Sequence, residues 1–276
     1  MTIEQSQEPQ RFAAFELAGW EENIVGYDAA FGTVAQQTVA PMLDVARVCA
    51  NMHVLDVCCG QGVLSAGALE RGASTIGLDF AAAAVALARA KVPGGEFRQG
   101  DAQDLPFADD TFDAVLCGYG LMHLPNPGKA LTEMRRVLRR SGRAAVGVWD
   151  AEGVGFALVY MAVRACGRMD VPLPHGPDFF QFGRVERMRD ALVLSGFAEV
   201  SVHLVAQSWN IPDADAYIAA ILGGAVRSRA VLRAQDAKAR DGVRAYIAEY
   251  IERFRTPRGD FAIPMPAIIG VGTRVS

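Results

Sequence analysis

Val54 to Leu64 reads V-L-D-V-C-C-G-Q-G-V-L and holds the residues of this chain best suited to binding chemistry. An apolar run enters two glycines, Gly60 and Gly62, ahead of a helical segment. Glycine at these places lets backbone amides approach a ligand closely. In a doubly wound sheet the carboxyl ends of the strands are where ligands bind. A G-x-G turn alone does not separate the candidates, since dinucleotide-binding folds use one too. Asp56 separates them. It lies inside the strand end, where a pyrophosphate would be repelled, and Ser65 stands where G-x-G-x-x-G has its third glycine. An acid at that place suits a cationic ligand bearing an amine and a sulfonium. Asp79 and Asp101 end two further expected strands.

The elements that position these acids alternate between short strands and helices from Asn51 to Asp150. Strands are expected at His53–Cys58, Ser74–Leu78, Glu96–Gln99, Phe112–Cys117 and Arg143–Trp149, and helices at Val63–Arg71 and Ala81–Lys91. A third helix is capped by Asn126, starts at Pro127 and has Gly142 just past its end. Its last turns carry Arg135, Arg136, Arg139 and Arg140, which favour the negative end of the helix dipole and read as a solvated face. Alternating units of this kind predict a parallel sheet with helices on both faces. Residues 10–48 read as helical. Residues 151–276 add a helix over Phe156–Cys166, a Pro/Gly-rich loop, a helix over Glu186–Ser195, a strand at Val200–Val205 and a long helical stretch from Asp213 to Arg255. Residues 261–273 form a last extended segment, with Pro264 and Pro266 favouring a sheet edge.

Composition fits an ordinary globular protein: 276 residues, 51% hydrophobic and 21% charged, long enough for one large domain with an elaborated lid. A net charge of −4 provides no basic field for nucleic acid or anionic membranes. The five cysteines show no C-x-x-C pair and read as reduced thiols. The polar, acidic N-terminus lacks the pattern of a secretory signal, and charges interrupt every apolar stretch, so the protein is expected in the cytoplasm.

Residues 54–149 resemble class I S-adenosylmethionine-dependent methyltransferases of the ubiquinone/menaquinone-biosynthesis-like small-molecule type. VLDVCCGQG, IGLDF, GDAQDLPFADDTFDAVLCGYGLMHL and the segment ending RRVLRRSGR carry the resemblance, in the family's order and spacing. It implies an α/β fold: a Rossmann-like, doubly wound, mostly parallel sheet in a single domain. An N-terminal helical lid (10–48), a cofactor-binding core (51–150) and acceptor-site elements (151–276) with a C-terminal helical cap insertion at about 211–255 complete it. S-Adenosyl-L-methionine is the implied cofactor, with no metal. Asp56, Gly60 and Gly62 would cradle its methionine part, and Asp79 would accept from both ribose hydroxyls. Phe80 would pack on the adenine, Asp101 and Ala102 would bind its amino edge, and Cys117 with Gly118 would close the floor beneath the sulfonium. Cys58 stands where the family has glycine or alanine, which disfavours a left-handed conformation there.

In-line methyl transfer needs alignment of the nucleophile more than acid–base machinery. A base is required only where the acceptor must lose a proton. His123 is the candidate, with anchoring of its loop as the other reading. Tyr27, on the lid segment, has a hydroxyl within expected reach of the methionine carboxylate or the methyl. Trp20 and Phe31 read as lid core, Trp149 and Asp150 face the expected acceptor pocket, and His175 and His203 receive no role. Tyr217, Ile218, Ile221, Leu222, Tyr246 and Tyr250 form an apolar stripe that predicts a partly hydrophobic small-molecule acceptor. Three alternatives stand beside this reading. One is a cofactor-binding protein catalysing a non-methylating step such as a cyclisation, another a macromolecule methyltransferase, and the last a nicotinamide-dependent oxidoreductase, which Asp56 opposes. Oligomeric state is not legible.

Overall fold

The computed structural model describes residues 3–275. The chain opens with helix α1 (Ile3–Gln36) and α2 (Val39–Val45), then enters the alternating core. That core runs β1 (His53–Val57), α3 (Val63–Glu70), β2 (Ser74–Asp79), α4 (Ala82–Lys91), β3 (Glu96–Gln99), β4 (Phe112–Gly118), a 3-10 turn (Leu121–His123), α5 (Pro127–Val137) and β5 (Leu138–Trp149). There follow α6 (Val154–Cys166), α7 (Val185–Leu194), β6 (Ala198–Val205), β7 (Ser208–Ile211), α8 (Ala214–Gly224), α9 (Arg227–Arg233), α10 (Ala237–Ile251), β8 (Phe261–Pro264) and β9 (Ala267–Thr273). Seven strands form one sheet in the order β3-β2-β1-β4-β5-β9-β6. Every pairing from β3 to β5 is parallel, and β9 runs antiparallel to both β5 and β6. The expected Rossmann-like, mostly parallel sheet is present.

Helices cover both faces, and the pleat shows it. Val54, Ala114, Leu116 and Ala145 pack with Met42, Leu43 and Leu64 of α2 and α3, whereas their strand neighbours Leu55, Val115, Ala144 and Val146 pack with Leu131 and Met134 of α5. Strands buried on both faces read as continuous apolar runs, which is why they were visible in the sequence.

Three expectations need correction. The helix begun at Pro127 stops at Val137, and Leu138 is already extended (ψ 141°). Arg139 and Arg140 therefore lie in β5, where Arg139 meets Asp113 at 2.6 Å, and Gly142 is not a helix terminator. The stretch from Asp213 to Arg255 is three helices, because the Gly223-Gly224 pair ends α8 and Asp236 starts α10 by accepting from the amide of Ala239 (2.8 Å). The terminal segment is split as well. Pro264 closes β8 in a two-stranded ribbon with β7, an element not foreseen, while β9 is buried throughout inside the main sheet. Gly270 and Gly272 let α7 and Phe197 sit directly on β9.

Helix α1 is tied across the sheet's carboxyl edge, and it begins before residue 10, where the helical flank was expected to start. Ala81 offers α4 no capping side chain. Glu21 of α1 does that work, accepting from the amides of Ala82 (2.6 Å) and Ala83 (2.9 Å). Asp28 adds an ion pair to Lys91 at 2.6 Å. On its other side α1 crosses α8 so closely that a Cβ on Gly26 would lie 2.1 Å from the carbonyl oxygen of Gly223. Gly26→Ala is accordingly expected to destabilise the protein by about 1–3 kcal/mol through overpacking, read as a lower urea midpoint. An unchanged midpoint would show that the crossing relaxes freely.

Candidate active site

The strand ends of β1, β2 and β4 face α1 across a cavity of about 740 Å³, counted with its open mouth. Its floor is the β1–α3 loop. Gly60 (φ 53°) and Gly62 (φ 84°) take left-handed conformations, and so does Cys58 (φ 56°). The left-handed cysteine corrects the expectation drawn from its side chain. Gly120 makes it affordable: a Cβ there would lie 2.4 Å from Cys58 Cβ, so the loops touch backbone to side chain. Such a conformation costs a non-glycine residue about 1–2 kcal/mol.

Two buried acids sit above this floor. Asp79 accepts from the amides of Gly60 (2.9 Å) and Ala81 (3.0 Å), so it shapes the glycine loop as well as the cavity. Burial pushes its carboxyl upward, and those amide bonds act in the opposite direction. Asp56 is 1% exposed and accepts at Oδ2 from the amide (3.0 Å) and hydroxyl (2.8 Å) of Ser65. Its Oδ1 has no partner among the described residues, and burial lifts its pKa to about 7 despite Ser65, with Asp79 adding repulsion. A buried carboxylate oxygen left unpaired calls for a donor from a ligand. Ser65 thus replaces a glycine with a residue that fixes Asp56.

Asp56, Cys58, Gly60, Asp79, Phe80, Gly118, His123 and Tyr27 line the cavity together. Gly62, Asp101, Ala102 and Cys117 do not. Gly62 instead starts α3 against Phe97. Asp101 turns away into its own loop, accepting from the amide of Gln103 at 2.8 Å, and Ala102 is buried beneath it. Cys117 lies under Gly120, its sulfur and that of Cys58 both packed against the position a Cβ there would take. Several lining residues escaped the sequence reading: Ile24, Thr38, Gln61 and above all Tyr119. Tyr119 has φ 59°, stacks on Trp149 at 3.9 Å and donates to Gln207 Oε1 at 2.9 Å. Only the G-Y-G pattern after β4 hinted at it.

A second, narrower chamber of about 370 Å³, likewise counted with its open mouth, shares Trp20, Tyr27, Tyr119 and His123 with the first. Trp149, Phe156 and Phe179 wall it, and the α8–α9 link at Gly224–Ser228 closes it. Asp150 does not reach it and instead accepts from the amide of Glu152 at 2.9 Å. The cap's apolar stripe also stays outside: Tyr217 is fully buried, its hydroxyl donating to Gly155 O (2.6 Å) and accepting from the Val159 amide (3.0 Å). Trp20 is more than lid core, since its ring stands edge-on to His123 at 4.8 Å, whereas Phe31 is core as expected. The Tyr27 hydroxyl has no hydrogen bond among the described residues, and burial raises its pKa. His123 Nδ1 lies 2.9 Å from the buried Glu16.

The same segment is recognisable in other proteins. Residues 55–146 match the family model described as a methyltransferase domain. A demethylmenaquinone methyltransferase of Lactiplantibacillus plantarum is 41% identical over 117 residues, 39% of this chain and 48% of that protein. The chain thus spans about half the length of the curated relatives it matches. Among solved structures, a SAM-dependent methyltransferase of Thermotoga maritima superposes with a TM-score of 0.55 at 17% identity, covering 94% of this chain and 99% of that one. The [4+2]-cyclase SpnF superposes with a TM-score of 0.53 at 20% identity, covering 87% and 81%. At its centre, over residues 55–146, the chain is similar to the methyltransferase domain family, and its fold is the Rossmann-like fold of class I methyltransferases.

Proposed function

We propose that this protein transfers a methyl group from S-adenosylmethionine to a small, partly hydrophobic acceptor. The observation that carries the reading is the pair of adjoining chambers, one acidic and glycine-floored, the other aromatic, sharing Trp20, Tyr27, Tyr119 and His123 as walls. The residues of the first chamber fit the cofactor. The unpaired Oδ1 of Asp56 suits its ammonium group, the two oxygens of Asp79 suit vicinal hydroxyls, and Phe80 offers a face to the adenine. The bound sulfonium supplies an electrophilic methyl. The protein's part is to align the acceptor and exclude water, which Trp149, Phe156 and Phe179 do by walling the second chamber. His123 is placed to take a proton from acceptors that carry one.

Similarity to a demethylmenaquinone methyltransferase supports a quinone-like or related metabolite as acceptor. No helix among the described residues is long and apolar enough to cross a membrane, in keeping with action in the cytoplasm. Labelled methyl from S-adenosylmethionine should enter the organic-soluble fraction of an extract of the source cells. Label on protein or RNA would make the acceptor a macromolecule. Cofactor binding without label in any fraction would favour a non-methylating reaction such as a cyclisation.

Asp56 gives this reading a pH signature. Its folded value of about 7 lies above the ordinary 3.8, so ionising it in the empty pocket costs stability as pH rises through that window. A bound ammonium offsets the cost. Affinity for S-adenosylhomocysteine is therefore expected to increase between about pH 6 and 8, with proton release below pH 7, measured by calorimetry in buffers of different ionisation enthalpy. Flat affinity and no proton release would remove Asp56 as the ammonium partner.

A further inference from the structure

Glu16 stands outside the cofactor chamber, on the lid helix, and is wholly buried. Its Oε2 lies 2.9 Å from Nδ1 of His123, and its Oε1 accepts from Nε of Arg227 at 2.7 Å. Burial pushes its carboxyl up, but His123 and Arg227 outweigh burial and hold it below the ordinary value. Glu16 is thus ionised and accepts only. Nδ1 must then carry the hydrogen of this bond, which in a neutral imidazole leaves Nε2 bare. Nε2 meets no polar partner among the described residues, while the ring lines both chambers.

Arg227 is fixed from several sides. It donates to the carbonyl oxygens of Pro177 (2.7 Å) and Met122, and its guanidinium lies over the Phe12 ring at 4.6 Å. Lid, cap and the turn carrying His123 therefore converge on one carboxylate. Isolated in the interior, that carboxylate would be costly; held by a cation and an imidazole, it is a rigid orienting group.

We propose that Glu16 is a positioning residue for His123, presenting Nε2 to the aromatic chamber to accept a proton from an O–H, N–H or acidic C–H acceptor. The inference rests on reading that chamber as the methyl-acceptor site. The acceptor atom bonds the methyl carbon as the carbon–sulfur bond breaks and its electron pair stays on sulfur. The acceptor's proton passes to Nε2, and Glu16 faces the resulting imidazolium. Acceptors that keep no charge without losing a proton are favoured over tertiary amines or thioethers.

The chain has four histidines, so imidazole-labelled protein read by ¹⁵N NMR, with His123→Gln for assignment, resolves each ring. At pH 8 His123 is expected to show hydrogen on Nδ1 and a bare Nε2. Glu16→Gln should lose that pattern and Glu16→Asp should keep it. Turnover in Glu16→Gln should fall roughly 10-fold or more, with KM for S-adenosylmethionine unchanged. Hydrogen on Nε2 of the wild type at pH 8 would overturn the proposal, as would a Glu16→Gln spectrum like that of the wild type. If Glu16→Gln does not fold, the wild-type and Glu16→Asp spectra still decide the tautomer. A wild type lacking the tautomer that still labels small molecules sinks this inference alone. The correct tautomer with no labelled product in any fraction overturns the proton-accepting role and the functional reading, leaving only the orientation of the ring.

Discussion

Asp79→Ala is expected to lower the affinity for S-adenosylhomocysteine roughly 10- to 100-fold in calorimetry. Hydrogen bonds to a charged group contribute about 1.5–3 kcal/mol each, and about 1.4 kcal/mol is a factor of ten in affinity. Both oxygens of Asp79 already accept a backbone amide, from Gly60 and Ala81, and each keeps a lone pair for a ribose hydroxyl. The substitution also frees Gly60, whose left-handed turn forms the cavity floor, so part of the loss is disorder in the loop. Asp101→Ala provides the comparison. That side chain is exposed and spent on Gln103, so the same assay should change by less than about 3-fold, the scale of a surface substitution. Equal losses in the two variants would mean that the cofactor reaches Asp101 and that the division drawn from the cavity is wrong.

The contrast between those two acids also shows what the sequence could convey. Asp56, Asp79 and Asp101 look alike as strand-end carboxylates, and β1 and β2 were legible because they are largely apolar and buried, whereas β3 buries only Phe97 and was read from its place in the alternation. Where each side chain points depends on the loop after it. Gln103 captures Asp101, while Ser65 and the amides of Gly60 and Ala81 aim the other two inward. Cys58 is similar: its left-handed backbone is imposed by the tight approach of Gly120, a contact between distant segments that no local propensity encodes. The aromatic chamber was half legible. Trp149 lies at the end of a strand that could be read, and Tyr119 reaches it because β4 pairs with β5 and the Tyr119 amide donates to the Gly147 carbonyl, but Phe179 and the α8–α9 link meet it only through tertiary packing. The apolar stripe of the cap pointed to Tyr217 and its neighbours, and these serve the core. Glu16 was invisible for a further reason: an acid on a helix reads as solvated, and only His123 and Arg227, more than one hundred and more than two hundred residues later, draw it inside.

His123→Gln is expected to reduce turnover by about 10²–10⁴-fold, the range of general-base catalysis, while leaving S-adenosylhomocysteine affinity within about 3-fold. Glutamine preserves the chain's reach to Glu16 and much of the ring's volume but holds no basic nitrogen. The two measurements separate the roles that the position combines. Trp20 packs edge-on to the His123 ring, and Phe179 stands 5.9 Å from it on the acceptor side, so a residue that only anchors the turn would transmit its loss into both chambers. In that case binding and turnover would fall together, and stability with them. A base, by contrast, lowers kcat selectively, because its proton transfer belongs to the transition state and not to cofactor binding. The loss should also depend on the acceptor. It should be largest for a weakly acidic alcohol or C–H acid and shrink for a phenol, which arrives partly ionised at high pH. Full turnover in the variant across pH and across acceptors would remove His123 as base and leave alignment by the aromatic walls as the whole of the catalysis.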